Sequence, residues 1–469
     1  MDIPIIVFWA IGILAFVLIT TWLTKRFVPN AQTFYFVSMI KTKRPLPWFS
    51  KFAGRKRLLN LFGDVGLVLG FGAVGIDYII GRKLGKLRIP VFIASALVLF
   101  EFFNVFFGLL LSNPFIIQYN FFLSLAFGIM GFSGFLIVSL AAYAEFIISQ
   151  LLAGEKACPG VAPVIPGVAI PNFPVTVPLH GWISFVILLV VHEGMHGVLL
   201  RKAKLAIKST GILLAGIFPI GAFVEPDEKQ LQKAPEREQL RVYSAGPFAN
   251  LAFAFILLLL LSGFAVFVAS PVIGPWEKNI KQEIVQGIEI ISVSKEFDLC
   301  GQKYSSPAFE FLQEGMLVSK VNGTEVRFLE EFTNARLSRT DFLELEVIDL
   351  NGITKQIVLE PNEIGRYGFA VKEKLIEGKE IPGDYSLYLS FGGELSNFFF
   401  WLFILSILIG IVNFLPMVPF DGGKIAQIVL LPYFGFLKKP KEETEKFITK
   451  FFFWVILILL LLNALPIFL

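Results

Sequence analysis

Long apolar runs, broken by short charged stretches, dominate the pattern of this chain. A membrane crossing needs about 20 mostly apolar residues, and eight runs qualify: near 4–24, 61–80, 90–112, 119–150, 182–200, 242–270, 396–418 and 448–469. The first resembles a signal peptide, but Thr24-Lys25-Arg26 follow it with no small-residue cleavage site, so it reads as a crossing. The run 119–150 is long for one pass and must tilt or project beyond the bilayer. Its single acid, Glu145, falls near the end read as outer.

Three stretches break the pattern. Residues 158–181 hold six prolines and few charges, which predicts an irregular outer loop. Residues 277–392 have soluble composition, with strand-like alternation at Leu343-Glu344-Leu345-Glu346-Val347 and turn signals at Asn322-Gly323 and Asn351-Gly352, enough for one small domain. Residues 209–224 are apolar but short and rich in glycine. Ile212-Leu213-Leu214 and Ala222-Phe223-Val224 flank Pro219-Ile220-Gly221, predicting a β-hairpin that turns there and dips into the membrane. Such backbone survives at that depth only where protein or a watery cavity satisfies it.

Basic residues set the expected orientation. The loop 25–58, Arg201, Lys202, Lys204 and Lys208, and the charged stretches 225–241 and 438–450 all read as cytoplasmic. The N-terminus is then outside, and the runs alternate to an outer C-terminus. One loop violates this order: residues 82–88 carry four positive charges yet fall outside. Either the second run is not a full crossing, or 82–150 is an inserted helix pair that the rule governs poorly.

Composition agrees with a membrane protein. Hydrophobic residues make up 55% of the 469 and charged ones 17%, against about 25% charged in a soluble domain. A simple soluble enzyme and a disordered chain are excluded. The net charge of +4 (41 basic, 37 acidic) gives no case for a nucleic-acid partner. Two cysteines make neither a disulfide scaffold nor a four-cysteine metal site. The three histidines, His180, His192 and His196, fall close together.

His192-Glu193-Gly194-Met195-His196 is an H-E-x-x-H pattern inside a predicted helix. Spacing of i and i+4 puts both imidazoles on one face, where they can hold one Zn²⁺ beside a carboxylate able to take a proton from water. Ionisable groups at membrane depth are costly and usually functional; the plain alternative is a polar cluster that joins helices. Catalytic zinc wants a third protein ligand. His180, twelve residues before His192, lies about 18 Å away along a helix, so it reads as an interfacial histidine. Asp421 is the better candidate. It follows Asn413-Phe414-Leu415-Pro416-Met417-Val418-Pro419-Phe420, where two prolines break the helix, and it precedes two glycines that permit a tight turn. Its end of the helix shares the expected side of His192 and His196. The sixth run opens with Ser244-Ala245-Gly246-Pro247-Phe248-Ala249-Asn250. Small residues there allow close helix approach, Pro247 suits a first helical turn, and Asn250 can donate to a carbonyl or an oxyanion or simply join helices.

Together these segments resemble the site-2 protease family of intramembrane zinc metalloproteases. The match rests on H-E-x-x-H at 192–196, G-x-x-x-N at 246–250 and N-x-x-P-x-x-P-x-D-G-G at 413–423, in that order. Gly221-Ala222-Phe223-Val224-Glu225-Pro226 is similar to archaeal members. Phe420 stands where the family usually has Leu. The resemblance implies a polytopic α-helical membrane protein of about eight transmembrane helices, with a three-helix zinc core and a membrane-dipping β-hairpin that pairs with extended substrate. It implies Zn²⁺ on His192, His196 and Asp421, Glu193 as general base and acid, and Asn250 and Asn413 at the substrate or oxyanion. Residues 306–326 look like a PDZ core, so the outer domain is PDZ-like and either binds a peptide by strand addition or filters by size.

The expected organisation is N-terminal transmembrane helices over 1–150, an outer loop over 151–181, and protease core over 182–276 and 393–469, with the PDZ-like domain over 277–392 between them. The expected function is hydrolysis of peptide bonds in transmembrane segments of membrane proteins. The site would face the cytoplasmic side of the plasma membrane and the PDZ-like domain would stand outside. A helix hides its carbonyls in internal hydrogen bonds, so substrate must unwind locally. The rival readings are an inactive membrane scaffold, which need not retain Glu193, and a zinc transporter, for which three histidines are too few. Cys158 and Cys300 both fall on the expected outer side and read as two separate thiols rather than a bridge.

Overall fold

The computed structural model describes residues 3–29, 31–110, 114–339 and 341–469. Among them, seven helical stretches are long and apolar enough to cross a membrane. Helix α1 (Ile3–Phe27) further covers the expected first run. After it come strands β1 (Ala31–Phe34) and β2 (Val37–Thr42), short α2 (Leu46–Phe52), then α3 (Lys56–Ile79), α4 (Arg88–Leu110) and α5 (Pro114–Leu152).

Neither α3 nor α5 is a single rod, which corrects the expected passes at 61–80 and 119–150. Each reverses at a glycine with positive φ, after a residue that also leaves helical geometry: Phe71-Gly72 in α3 and Met130-Gly131 in α5. In α5 the Tyr119 hydroxyl donates to the Glu145 carboxylate at 2.6 Å. On one straight helix those residues would stand about 39 Å apart. A Cβ on Gly134 would lie 2.5 Å from the Ala126 carbonyl oxygen, and one on Gly75 2.8 Å from that of Leu67. Both elements are therefore helical hairpins with minimal turns. The fold-back of α3 brings Asp64 and Tyr78 to one neighbour. Asp64 pairs with Arg237 and Arg241, and Tyr78 donates to Glu236 at 3.0 Å.

Helix α6 (Gly181–Lys202) covers the predicted fifth run. The hairpin that follows is β3 (Ile207–Ala215) and β4 (Phe218–Pro226), which reverses at Gly216 rather than at Pro219-Ile220-Gly221. Strand β2 pairs antiparallel with β3, making a four-stranded sheet β1-β2-β3-β4 with β4 at its edge. After short α7 (Glu228–Lys233), helix α8 (Glu236–Phe264) starts well before the predicted 242, because the Asp64 and Lys202 pairings neutralise its charged first turns. Pro247 therefore lies inside the helix rather than in its first turn. A π-helical stretch carries α8 on into α9 (Gly274–Ile284), giving 49 continuous residues. At 1.5 Å per residue that is about 74 Å, over twice a hydrocarbon core of about 30 Å.

The soluble-composition segment forms one sheet in the order β11-β10-β8-β5-β12. Its members are β5 (Val285–Val293), β8 (Leu317–Val321), β10 (Leu343–Ile348), β11 (Thr354–Leu359) and β12 (Phe369–Leu375). A hairpin of β6 (Glu296–Leu299) and β7 (Gln302–Ser305), short β9 (Thr324–Glu325) and helix α10 (Leu329–Leu337) complete it. Ile288, Ile290, Val318, Val321, Leu345, Val347 and Phe332 fill its core. The chain returns through α11 (Gly383–Leu387) into α12 (Gly393–Val412), α13 (Asp421–Val429) and α14 (Lys441–Ala464). Trp276 of α9 packs edge-on against Tyr385 and Tyr388, joining the two stalks beneath the domain.

Residues 158–180 are irregular, as their prolines predict. Cys158 there is bonded to Cys300 at the β6–β7 turn, with the Cα atoms 5.0 Å apart. This overturns the expectation of two separate thiols: chain spacing could not show that the loop folds up against the domain.

Candidate metal centre

Helix α6 presents His192 and His196 on one face, one turn apart, with ring centroids 4.9 Å apart. Both are buried. Asp421, the first residue of α13, points its Oδ2 at both rings, 3.0 Å from His192 Nε2 and 3.2 Å from His196 Nε2. Donors on one tetrahedral zinc at 2.0–2.1 Å would stand about 3.3 Å apart. Asp421 Oδ2 thus already stands from each imidazole nitrogen at about the separation that two ligands of one zinc ion keep. His196 Nδ1 lies 2.8 Å from the Val242 carbonyl oxygen. That carbonyl can only accept, so Nδ1 carries a proton, which leaves Nε2 as the ring nitrogen able to ligate a metal. His192, Glu193 and His196 also form a cluster whose candidate ligand atoms all lie within 4.8 Å of one another.

The room for this centre comes from Gly246. A Cβ there would sit 2.2 Å from His196 Nε2 and 2.6 Å from His192 Nε2. The small residue read as a helix contact is thus the floor of the histidine pair. Asn250, one turn on, is fully buried, with Nδ2 3.4 Å from His192 Nδ1 and Oδ1 without a partner. It stands behind the imidazole rather than on an open face. Asn413 caps α12 and donates to the Ile409 carbonyl at 2.8 Å.

Local packing explains how Asp421 arrives. After α12 ends, residues 413–420 fold tightly, and Gly422 N–H donates back to the Asn413 carbonyl at 2.7 Å. Gly422 and Gly423 lie in the first turn of α13 rather than in a turn after the acid. A Cβ on Gly422 would be 2.3 Å from the Phe414 carbonyl oxygen, and one on Gly423 2.6 Å from the Met417 carbonyl carbon. The glycines serve close approach, not an unusual φ.

Glu193 is half-buried, and its carboxylate accepts the Val224 N–H of edge strand β4 at 3.0 Å. That bond ties the carboxylate beside the histidines to the free edge of the four-stranded sheet. His180 lies at the far end of α6 against Phe398, away from the cluster.

A family model described as peptidase family M50 matches residues 180–460, which include every element of this centre. The chain belongs to that family. M50 members are membrane-embedded, zinc-dependent proteases, and this M50 chain is accordingly a transmembrane protein with a buried group able to bind a metal. It is similar to an uncharacterized protein of Methanocaldococcus jannaschii, 26% identical over 324 residues, which span 69% of this chain and 72% of that one. It is also similar to a membrane-bound transcription factor site-2 protease homolog of Arabidopsis thaliana, 27% identical over 144 residues, 31% of this chain and 24% of that protein.

Proposed function

We propose that this M50 chain is an active intramembrane metalloendopeptidase that cuts transmembrane segments of membrane proteins. The observation that carries the reading is the convergence of His192, His196 and Asp421 beside a Glu193 held at the edge of β4. His192, His196 and Asp421 would hold zinc, which when bound supplies a nucleophilic water at neutral pH and a Lewis acid for the scissile carbonyl. Glu193 takes the proton from the attacking water and delivers it to the leaving amine. Asn250 suits holding the His192 imidazole: with its amide turned, Oδ1 accepts from Nδ1–H, and O and N of an amide are assigned by such networks. Asn413 stands ready for the substrate side once its amide leaves the Ile409 carbonyl.

Substrate would enter extended. The outer edge of β4 carries the N–H groups of Val224 and, two residues back, Ala222, because side and edge alternate along a strand. A locally unwound segment pairing there places its carbonyl against the Glu193 side of the centre.

The charge pattern supports a site facing the cytoplasm. With α3 folded back, residues 82–88 return to the side of the basic loop 25–58, and their four positive charges no longer violate the rule. With α5 folded back from the opposite side, the order of crossings is kept. Helix α4 is then the one full crossing between α1 and α6. The domain over 285–375 reads as outer and PDZ-like. Edge strand β12 and α10 frame a groove of about 510 Å³ bearing Arg336 and Arg366, suited to an added peptide strand. Its position above the core also suits a size filter, so that bulky ectodomains require an earlier cut.

The test is purified protein in bilayer discs, with zinc content and cleavage of a transmembrane substrate panel measured for wild type and Glu193→Gln. One zinc per chain in both, with cleavage lost by about 10²–10⁴-fold in the variant, is expected. Zinc without cleavage by wild type favours a scaffold; no zinc in wild type removes the metal assignment.

A further inference from the structure

The segment 56–152 lies wholly outside the family match, yet it packs against the Asp421 turn. Its two hairpins are built alike. Phe71-Gly72 has φ/ψ of −130°/16° and 53°/−138°, and Met130-Gly131 has −125°/19° and 56°/−148°. In each, the glycine three residues after the break packs on the carbonyl eight residues earlier: Gly75 on Leu67 and Gly134 on Ala126. The same short device, a glycine break followed by Gly at +3, folds both apolar helices back.

The tips interlock. A Cβ on Gly72 would sit 2.6 Å from Gly131 N, and one on Gly131 would sit 2.2 Å from the Leu69 carbonyl oxygen. Neither tip has room for a side chain, so each fixes the other. Beside this junction lies Phe414, fully buried, with its ring in the space left by Gly70: a Cβ there would be 2.3 Å from Phe414 Cδ1. Phe132, one residue past the second tip, lies near-parallel to Phe414, with ring centroids 6.4 Å apart and the planes at 16°. Phe127 and Phe103 continue the ring column into the hairpin and α4. On its backbone side Phe414 touches Gly422, the residue after Asp421.

We infer that the interlocked hairpins brace the metal centre, with Gly70 and Phe414 as positioning residues that set where Asp421 Oδ2 stands relative to the two histidines. The inference rests on the zinc-protease reading above. The ring of Phe414 fills the space left by Gly70, its carbonyl is close against Gly422, and a shift at one end reaches the other through these contacts. Among the described residues, no hydrogen bond joins the hairpins to His192, His196 or Asp421, and their effect passes through the 413–422 turn.

Full-length protein in bilayer discs tests this by competition with a graded chelator, which reads zinc affinity without activity. The variants are Gly70→Ala, Phe414→Leu and the double variant, with thermal unfolding and the Cys158–Cys300 bond checked in each. Gly70→Ala should weaken zinc binding about tenfold or more, in the range known for residues that orient ligands. Phe414→Leu, which shortens the clashing side chain, should recover most of that loss in the double variant. Wild-type affinity in Gly70→Ala overturns the inference, as does a folded double variant no better than Gly70→Ala. If Gly70→Ala does not fold, Phe414→Ala decides instead, since it empties the seat without a clash; unchanged zinc affinity there overturns the brace. Absence of zinc from wild type would instead strike the zinc reading itself, so the two failures are distinct.

Discussion

A methyl group on Gly246 would occupy the space between the two histidine Nε2 atoms, at 2.2 and 2.6 Å. Neither ring can retreat, because both are buried and His196 is anchored to the Val242 carbonyl. Gly246→Ala should therefore reduce zinc affinity by about 100-fold or more, exceeding the effect of losing an orienting contact, while helix α8 gains propensity. Zinc content after dialysis, read beside the melting temperature, checks it: unchanged zinc would mean that the rings do not take the positions described. At this scale much was legible. H-E-x-x-H carries its geometry in its own spacing, and Asp421 was marked by the helix break before it. Gly246 was visible as a small residue but not as the floor of the site, because its partner lies 50 residues away in sequence. Asn250 reads from sequence either as a donor to substrate or as a helix contact, and its full burial behind His192 emerges only from packing.

Among the elements, the edge of β4 is the one whose loss should leave the metal untouched. Ala222→Pro removes an outward N–H while an edge strand tolerates proline. Cleavage should fall at least about tenfold, on the order of one or two lost hydrogen bonds, at constant zinc content; equal cleavage rates would show that substrate does not pair there. The base of the same sheet is held by Glu225, which accepts from Ser209 and pairs with Lys41 of β2 at 3.2 Å. The Ser209 hydrogen bond, then Lys41, lowers its pKa below the usual value. A carboxylate lowered by folding contributes its stability above the unfolded pKa and loses it as pH falls through the folded one. The tie should thus hold from neutrality down to about pH 4.5 and open below that. Hydrogen exchange of the β3 and β4 amides across pH measures it, and Glu225→Gln should abolish the pH dependence. The two glycine hairpins were the least legible elements. An apolar run of some 20 residues reads the same whether it crosses or turns back, since hydropathy carries no sign of φ. The basic loop at 82–88 was the one sequence signal that the second run did not cross. Strands β1 and β2 were missed because they are too short to register and need β3 as a template.

For the whole molecule, the Cys158–Cys300 bond adds a third attachment of the domain over 285–375, beside the stalks at α9 and α11. Reduction, or Cys158→Ser, should leave zinc content unchanged but raise hydrogen exchange in the β6–β7 hairpin. If the domain filters by size, it should also admit bulkier substrates. Identical exchange with and without the bond would mean that the stalks alone fix the domain.

The same bond has a topological result. It closes the chain between Cys158 and Cys300 into a covalent ring. Within that ring lie α6 with both histidines, the β3–β4 hairpin and all of α8. A single protease nick in the exposed connection around 227–235 would cut the backbone between the histidines and Asp421 without separating them. On a gel the nicked protein should migrate as one chain until reductant is added, and then as two. The two halves of the metal centre are thus joined by a disulfide link as well as by the peptide chain.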